Sequence, residues 1–251
     1  MTNDVSATDP YGRLDPALEA ALGRLPTEGP LVVLFSGGVD SGLLAWELRR
    51  RSGVELSTFG LTGSPDPMAA RRAAELLHLP CHEGRATPEE VRSMRQTIAT
   101  WVGPLTPTEA SIETAFALAV KTAPLGTLVC GQGADELFFG YAHYRPLNAS
   151  AAAARAEHDL ALLREVAWPR AQRVAQELGR TVRAPYLDAE FVEAARAVPA
   201  VDRSRADPPK AWFRTWAVRR GLPAEIAFRP KKALQYGSGV DRLLKRAPSR
   251  P

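Results

Sequence analysis

The chain has 251 residues, 45% of them hydrophobic, with a formal net charge of +4 and a pI near 9.3. That length and apolar content allow a full buried core and exclude a disordered protein. Two cysteines, Cys81 and Cys130, with no C-x-x-C pair, argue against a disulfide framework, a structural zinc site and two-thiol chemistry.

No signal peptide or membrane-length apolar run is visible, so a cytoplasmic location with no membrane partner is expected. The arginine pairs and triplets at residues 49–51, 71–72 and 219–220 lie among acids on helical patterns. They read as solvated faces rather than a nucleic-acid surface.

A helical pattern over residues 16–25 ends at Pro26 and Pro30. Leu31, Val32, Val33, Leu34 and Phe35 then suit a strand buried on both faces. This run empties into Ser36, Gly37, Gly38, Val39, Asp40 and Ser41 ahead of a helix. Gly37 and Gly38 lack a Cβ and can take positive φ, turning N–H groups toward an anion. The serine hydroxyls add donors, and a helix N-terminus adds its dipole. The loop is read as a pyrophosphate cradle, although it matches neither G-x-x-x-x-G-K-[ST] nor G-x-G-x-x-G. Asp40 would repel a bare phosphate, so its presence makes sense if Mg²⁺ bridges carboxylate and phosphate oxygens. A plain strand-to-helix turn is the competing reading, and six specified positions between a strand and a helix weigh against it.

Residues 54–61 read as a second strand, residues 63–67 as a loop and residues 68–77 as a helix, one βαβ step. Cys81, His82 and Glu83 are adjacent and cannot easily converge on one metal, so a short strand is expected and His82 is assigned no chemistry. Thr87, Pro88 and Glu90, then Thr106, Pro107 and Glu109, start two helices with capping-box spacing. The second carries Ile112, Phe116, Ala119 and Val120 at helical spacing, read as core. Residues 125–130 form another strand, which ends in Gly131, Gln132, Gly133, Ala134, Asp135 and Glu136 and runs on to Tyr141. Ligands of an open parallel sheet lie beyond the carboxyl ends of its strands, so two such loops can face one nucleotide and Asp40 and Asp135 can share its Mg²⁺. An N-cap role explains either acid alone, and the pair less well.

From residue 149 the composition shifts to Ala, Arg, Leu and Glu, with helical patterns over 151–178, 189–198 and 210–220. Loops at 183–188 and 229–239 interrupt them. The expected fold class is α/β: a parallel-sheet, Rossmann-like core over residues 1–148, followed by a mainly helical part, 149–251, completing the same compact domain. Lys231 lies in the last loop, where on composition alone a lysine is as readily solvated as bound to phosphate.

Taken together, residues 36–41, 63–66, 131–141, 183–188, 210–214 and 229–231 resemble, in order and spacing, the synthetase domain of asparagine synthetases within the ATP pyrophosphatase-type (PP-loop) enzymes. The resemblance implies a nucleotide α-hydrolase-like core and a ligase that uses ATP and Mg²⁺ to adenylate a carboxylate, releases pyrophosphate and passes the acyl group to ammonia or another amine. It also implies roles. Lys231 matches the catalytic lysine, Asp40 and Asp135 the metal pair, and Ser36, Gly37, Gly38, Ser41 and Gly133 the cofactor loops. Phe59 and Gly60, with Cys130 and Gly131, fall where adenine is held, and Gln132 falls on the substrate side.

Asparagine-forming members usually carry Glu at Gln132 and Gly at Phe139, which puts aspartate in doubt as substrate. Met1 is followed by Thr2 rather than a nucleophilic Cys, so ammonia, another amine or a separate glutaminase is expected to supply nitrogen. A homo-oligomer is compatible with the sequence. Adenylation of a tRNA base and nucleotide binding without catalysis are the competing functions.

Overall fold

The computed structural model describes residues 11–204, 208–230 and 233–245. Five strands, β1 (Leu31–Leu34), β2 (Val54–Phe59), β3 (Cys81–Gly84), β4 (Thr127–Val129) and β5 (Val182–Arg183), form a wholly parallel sheet in the order β3-β2-β1-β4-β5. Leu31 of β1 stands beside Val54 on one side and Thr127 on the other. The chain winds outward from β1 in one direction through β2 and β3, then restarts on the other side with β4. The crevice between the carboxyl ends of β1 and β4 is therefore the topological switch point, where ligands of such sheets sit.

β1 is apolar throughout because it is covered on both faces. Leu31 and Val33 join one core with α1 (Leu14–Gly23), α2 (Val39–Leu48), α3 (Pro65–Leu77), α9 (Ala189–Ala197) and α11 (Ala211–Arg219). Val32 and Leu34 point the other way, into a second core with α4 (Pro88–Val102), α5 (Pro107–Thr122) and α8 (Trp168–Glu177). The period of two along the strand thus decides which layer each residue serves. The remaining helices are α6 (Ala134–Leu137), α7 (Ala149–Leu162), α10 (Ala200–Arg203), α12 (Ala224–Ala227), α13 (Leu234–Gly237) and α14 (Val240–Lys245). Among the described residues no helix is long and apolar enough to cross a membrane.

Both expected capping boxes form: Thr87 with Glu90 at the start of α4, and Thr106 with Glu109 at the start of α5. The boundaries differ in ways that have local causes. β4 is three residues long rather than six, since Gly126 at φ +144° is outside strand geometry and Leu125 is exposed. α3 starts at Pro65 rather than Met68, with Ser64 as its N-cap and proline in the first turn where its missing N–H costs nothing. The pattern over 151–178 is interrupted by a π turn at Leu163–Ala167. Pro169 follows it and cannot donate to a preceding carbonyl, a known cause of such shifts in register. Residues 182–183, at the edge of an expected loop, instead form β5 and place part of the C-terminal half in the sheet.

One buried acid in this framework is a liability. Glu113 of α5 is 4% exposed and lies 4.0 Å from Arg170, whose guanidinium bonds Glu109 at 2.8 Å instead. Burial pushes the Glu113 carboxyl up to about 7, against the pull of Arg170. Its folded-state pKa exceeds the unfolded one, so its contribution to stability is complete below the ordinary glutamate range and is lost as pH rises through about 7. Glu113→Gln is expected to stabilise the fold by about 2 kcal/mol at pH 8 and by little at pH 5, measured by urea midpoints at both pH values.

Candidate active site

A cleft of ≈ 260 Å³ opens at the switch point, lined by the ends of β1, β2 and β4 and by α5 and the start of α13. The strand, glycine turn and helix around the Ser36–Ser41 loop form, with one amendment. Gly37 takes φ +68°, whereas Gly38, the N-cap of α2, has φ −99°, a conformation open to any residue. Gly37 also packs tightly, since a Cβ there would lie 3.0 Å from the Ala69 carbonyl oxygen and the Ala70 Cα. Gly38 brings no capping side chain to α2, so the first turn keeps N–H groups for an anion. Ser41 Oγ accepts from the Ser36 N–H at 3.2 Å and lies 3.2 Å from Ser36 Oγ, which sets the two hydroxyls side by side.

Arg229 braces the cradle from behind. Its Nε donates to the Gly37 carbonyl at 2.8 Å and its Nη2 to the Ser36 carbonyl at 2.6 Å. In a planar trans peptide the carbonyl and the following N–H point oppositely. These two bonds therefore direct the N–H groups of Gly37 and Gly38 away from Arg229. Arg214, 6% exposed, holds the same segment by donating to the carbonyls of Pro209, Ala227 and Arg229.

Asp40 and Asp135 do come together, as the paired loops suggested. Lys210 joins them: its ammonium lies 2.5 Å from Asp40 Oδ1 and 2.7 Å from Asp135 Oδ1. The Lys210 and Asp40 side chains are 5% and 4% exposed, Asp135 34%. Burial works against the lysine charge, but the two carboxylates outweigh it and raise its pKa above the ordinary value. Lys210 itself sits at φ +61°, a costly conformation for a residue with a Cβ that persists only when its surroundings impose it. Residue 210 falls in a stretch of the family resemblance that assigns it no role. The readable signal was a lysine after Pro208 and Pro209, directly ahead of an apolar helix.

Ser36, Asp40, Ser41, Phe59, Cys130, Gly131, Gln132 and Asp135 all line the cleft. Gly37, Gly38, Gly60 and Gly133 are not among its lining residues. Gly60 and Gly133 allow close packing instead: a Cβ would lie 2.3 Å from Ser64 Oγ and 2.7 Å from Leu187 Cδ2, respectively. Burial pushes the Cys130 thiol up to about 12, so it is a packed wall rather than a nucleophile. Lys231 lies outside the described residues.

One reading needs correction. Ile112, 39% exposed, lines the cleft with Phe116 and Ala119, so this face of α5 is site wall as well as core. Phe139 turns away from the cleft and packs on Tyr144, with ring centroids 5.5 Å apart. Its φ of +54° suits the glycine that the resemblance places there. The 183–188 stretch acts indirectly, through the fully buried Tyr186, whose hydroxyl donates to the Asp40 carbonyl at 2.9 Å.

Tyr141 lines the cleft and donates at 2.7 Å to Glu136, which is 5% exposed and pushed up to about 7 by burial. Asp66 and Gln235, both buried, complete the rim.

The described residues contain no group of three or more His, Cys, Asp or Glu side chains able to hold a metal alone. The donor set still fits Mg²⁺, which is commonly held by one or two carboxylates plus substrate phosphates. The Lys210 ammonium marks a point on which both carboxylates converge around positive charge.

The parallel sheet, the glycine-rich turn and the uncapped helix at the switch point define a nucleotide-binding α/β protein of Rossmann-like type. The chain belongs to the asparagine synthase family, whose model, described as asparagine synthase, matches residues 13–180 and 160–249. An asparagine synthetase (glutamine-hydrolyzing) of Sandersonia aurantiaca is 29% identical over 245 residues, taking in 88% of this chain and 46% of that protein. Its counterpart in Brassica oleracea is 28% identical over 245 residues, with 88% and 41% covered. The chain thus spans less than half the length of these curated relatives.

Among solved structures, an NMN synthetase from Francisella tularensis aligns over 89% of this chain and 99% of its own, with 15% identity and a TM-score of 0.38. An NH3-dependent NAD synthetase from Campylobacter jejuni aligns over 90% and 99%, with 14% identity and a TM-score of 0.37.

Proposed function

We propose that this chain is an ATP-dependent amide-forming ligase, which adenylates a carboxylate and transfers the acyl group to ammonia or another amine. The observation that carries it is the convergence of Asp40 and Asp135, from the ends of β1 and β4, on one positive charge beside the Ser36–Ser41 hydroxyl pair. A carboxylate oxygen attacks the α-phosphorus, the bond to the β-phosphate oxygen breaks and pyrophosphate leaves. The amine nitrogen then attacks the acyl carbon, the bond to the adenylate oxygen breaks, AMP leaves and the nitrogen sheds a proton.

Asp40 and Asp135 would hold Mg²⁺, which neutralises phosphate charge and orients the polyphosphate when bound. The chain's own part is positioning and electrostatics. The cradle N–H groups and the two serine hydroxyls take the departing pyrophosphate, and the apolar wall of Phe59, Ile112, Phe116 and Cys130 takes the adenine. Gln132 and Tyr141, which line the same cleft, face the carboxylate and the amine. Gln132, in place of the family's glutamate, supports a carboxylate other than aspartate. Ammonia, another amine or a separate glutaminase supplies the nitrogen.

The test is exchange of labelled pyrophosphate into ATP across a panel of carboxylic acids. Exchange above the acid-free rate with at least one acid is expected. Binding of Mg·ATP without exchange for any acid would leave a nucleotide-binding protein and overturn the reading. The brace behind the cradle gives a second check. Arg229→Ala is expected to raise the KM for ATP about tenfold in the exchange assay, with a smaller change in kcat, because it frees the Ser36 and Gly37 peptides to rotate.

A further inference from the structure

The ammonium of Lys210 contacts one oxygen of Asp40 and one of Asp135, and both distances fall within 2.7 Å. Mg²⁺ takes oxygen ligands at about 2.0–2.1 Å in a near-octahedral shell. An ammonium and a metal ion therefore cannot both be bonded to this pair of oxygens from the same position. The lysine is built into that position. Arg214 holds the backbone on either side of it, donating from its N–H to the Lys210 carbonyl at 2.9 Å and from Nε to the Pro209 carbonyl at 2.7 Å. Gly140 clears space for the stem: a Cβ there would lie 2.0 Å from Asp135 Oδ1 and 3.0 Å from Lys210 Cδ. Behind the ammonium stands the ring of Phe213, 5.9 Å from it. The lysine is 5% exposed, and both carboxylates it holds line the cleft.

We propose that Lys210 is an internal competitor for the metal position, which keeps the Asp40–Asp135 pair closed to a free divalent cation and leaves it only when an ATP polyphosphate offers the ammonium another anion. Metal and nucleotide then enter together. A free ion gains two carboxylates but must displace a buried ammonium from the two contacts that hold it. An ion arriving with ATP displaces it onto phosphate oxygens. This regulation rests on the proposed ATP- and Mg²⁺-dependent function of the same site.

The test uses Mn²⁺ as probe, with the free-ion paramagnetic resonance signal read by titration, with and without a non-hydrolysable ATP analogue. For the native chain, affinity for Mn²⁺ is expected to rise at least thirtyfold when the analogue is present. Lys210→Met, which keeps the stem and removes the charge, is expected to bind Mn²⁺ without nucleotide at least tenfold more tightly than the native chain. Lys210→Met combined with Asp135→Asn is expected to lose that gain, which places the ion on the carboxylate pair.

Equal nucleotide-free affinity in the native chain and Lys210→Met, with Mn²⁺ still bound in the presence of the analogue, would overturn the competition and leave the metal site standing. No Mn²⁺ binding by either chain with the analogue would overturn the functional reading itself. If Lys210→Met does not fold, the native titrations decide: nucleotide-independent Mn²⁺ affinity overturns the proposal.

Discussion

Asp40→Asn is expected to lower carboxylate-dependent pyrophosphate exchange by about 10³-fold while the protein stays folded. The substitution keeps the shape of a side chain that is 4% exposed and replaces a charged acceptor with a neutral amide. Groups aimed at transition-state charge in a site shielded from water contribute about 10²–10³ in rate each, and a thousandfold corresponds to about 4 kcal/mol. In the proposed scheme Asp40 is the more deeply buried of the two metal ligands, 4% exposed against 34% for Asp135. The loss is therefore placed at the upper end of that range. The measurement is the initial exchange rate at saturating ATP and Mg²⁺ with whichever acid the panel identifies. A rate within tenfold of the native chain would show that the Asp40 charge is not used in catalysis.

Lys210→Met is expected to cost about 3 kcal/mol of stability at pH 8, read from denaturant midpoints. Removing the ammonium leaves Asp40 and Asp135 facing each other without the positive charge between them, one of them buried. Breaking a buried ion pair by deleting one partner is costly because the other charge loses its nearest counter-charge. The partial exposure of Asp135 places the figure at the low end of that range. The raised lysine pKa sets the pH window. The contribution is fully present below the ordinary lysine pKa of about 10.4 and is lost only as pH rises through the higher folded value. The deficit should accordingly be constant from neutral pH to about 10. Added salt should change it little, since buried pairs are weakly screened.

The cradle was legible because its information is local. Five apolar residues, a glycine turn and a helix start are contiguous, and each follows from backbone and burial preferences within a few residues. The same holds for the two capping boxes, whose Thr and Glu partners are three residues apart. The convergence of Asp40 and Asp135 was also within reach. Two strand ends carrying the same kind of loop meet when their strands are adjacent and parallel, as β1 and β4 are.

Other features depend on distances that no local pattern contains. Helical spacing places Ile112 and Phe116 on one stripe, but it does not say that the outer turn of that stripe looks into a cleft. The resemblance places a glycine at Phe139, but it does not say where a ring would go there. The left-handed backbone sends it toward Tyr144.

By itself the sequence determined the α/β class, the cradle, the second glycine-acid loop and the family to which they point, because each is written in contiguous residues. The tertiary structure alone decided that Lys210, 170 residues from Asp40, is the charge between the two acids, and that Arg229, 192 residues from Gly37, holds the cradle in shape. Side chains so far apart in the chain become partners only once the sheet order and the packing of α11 against α2 have brought their ends of the molecule together.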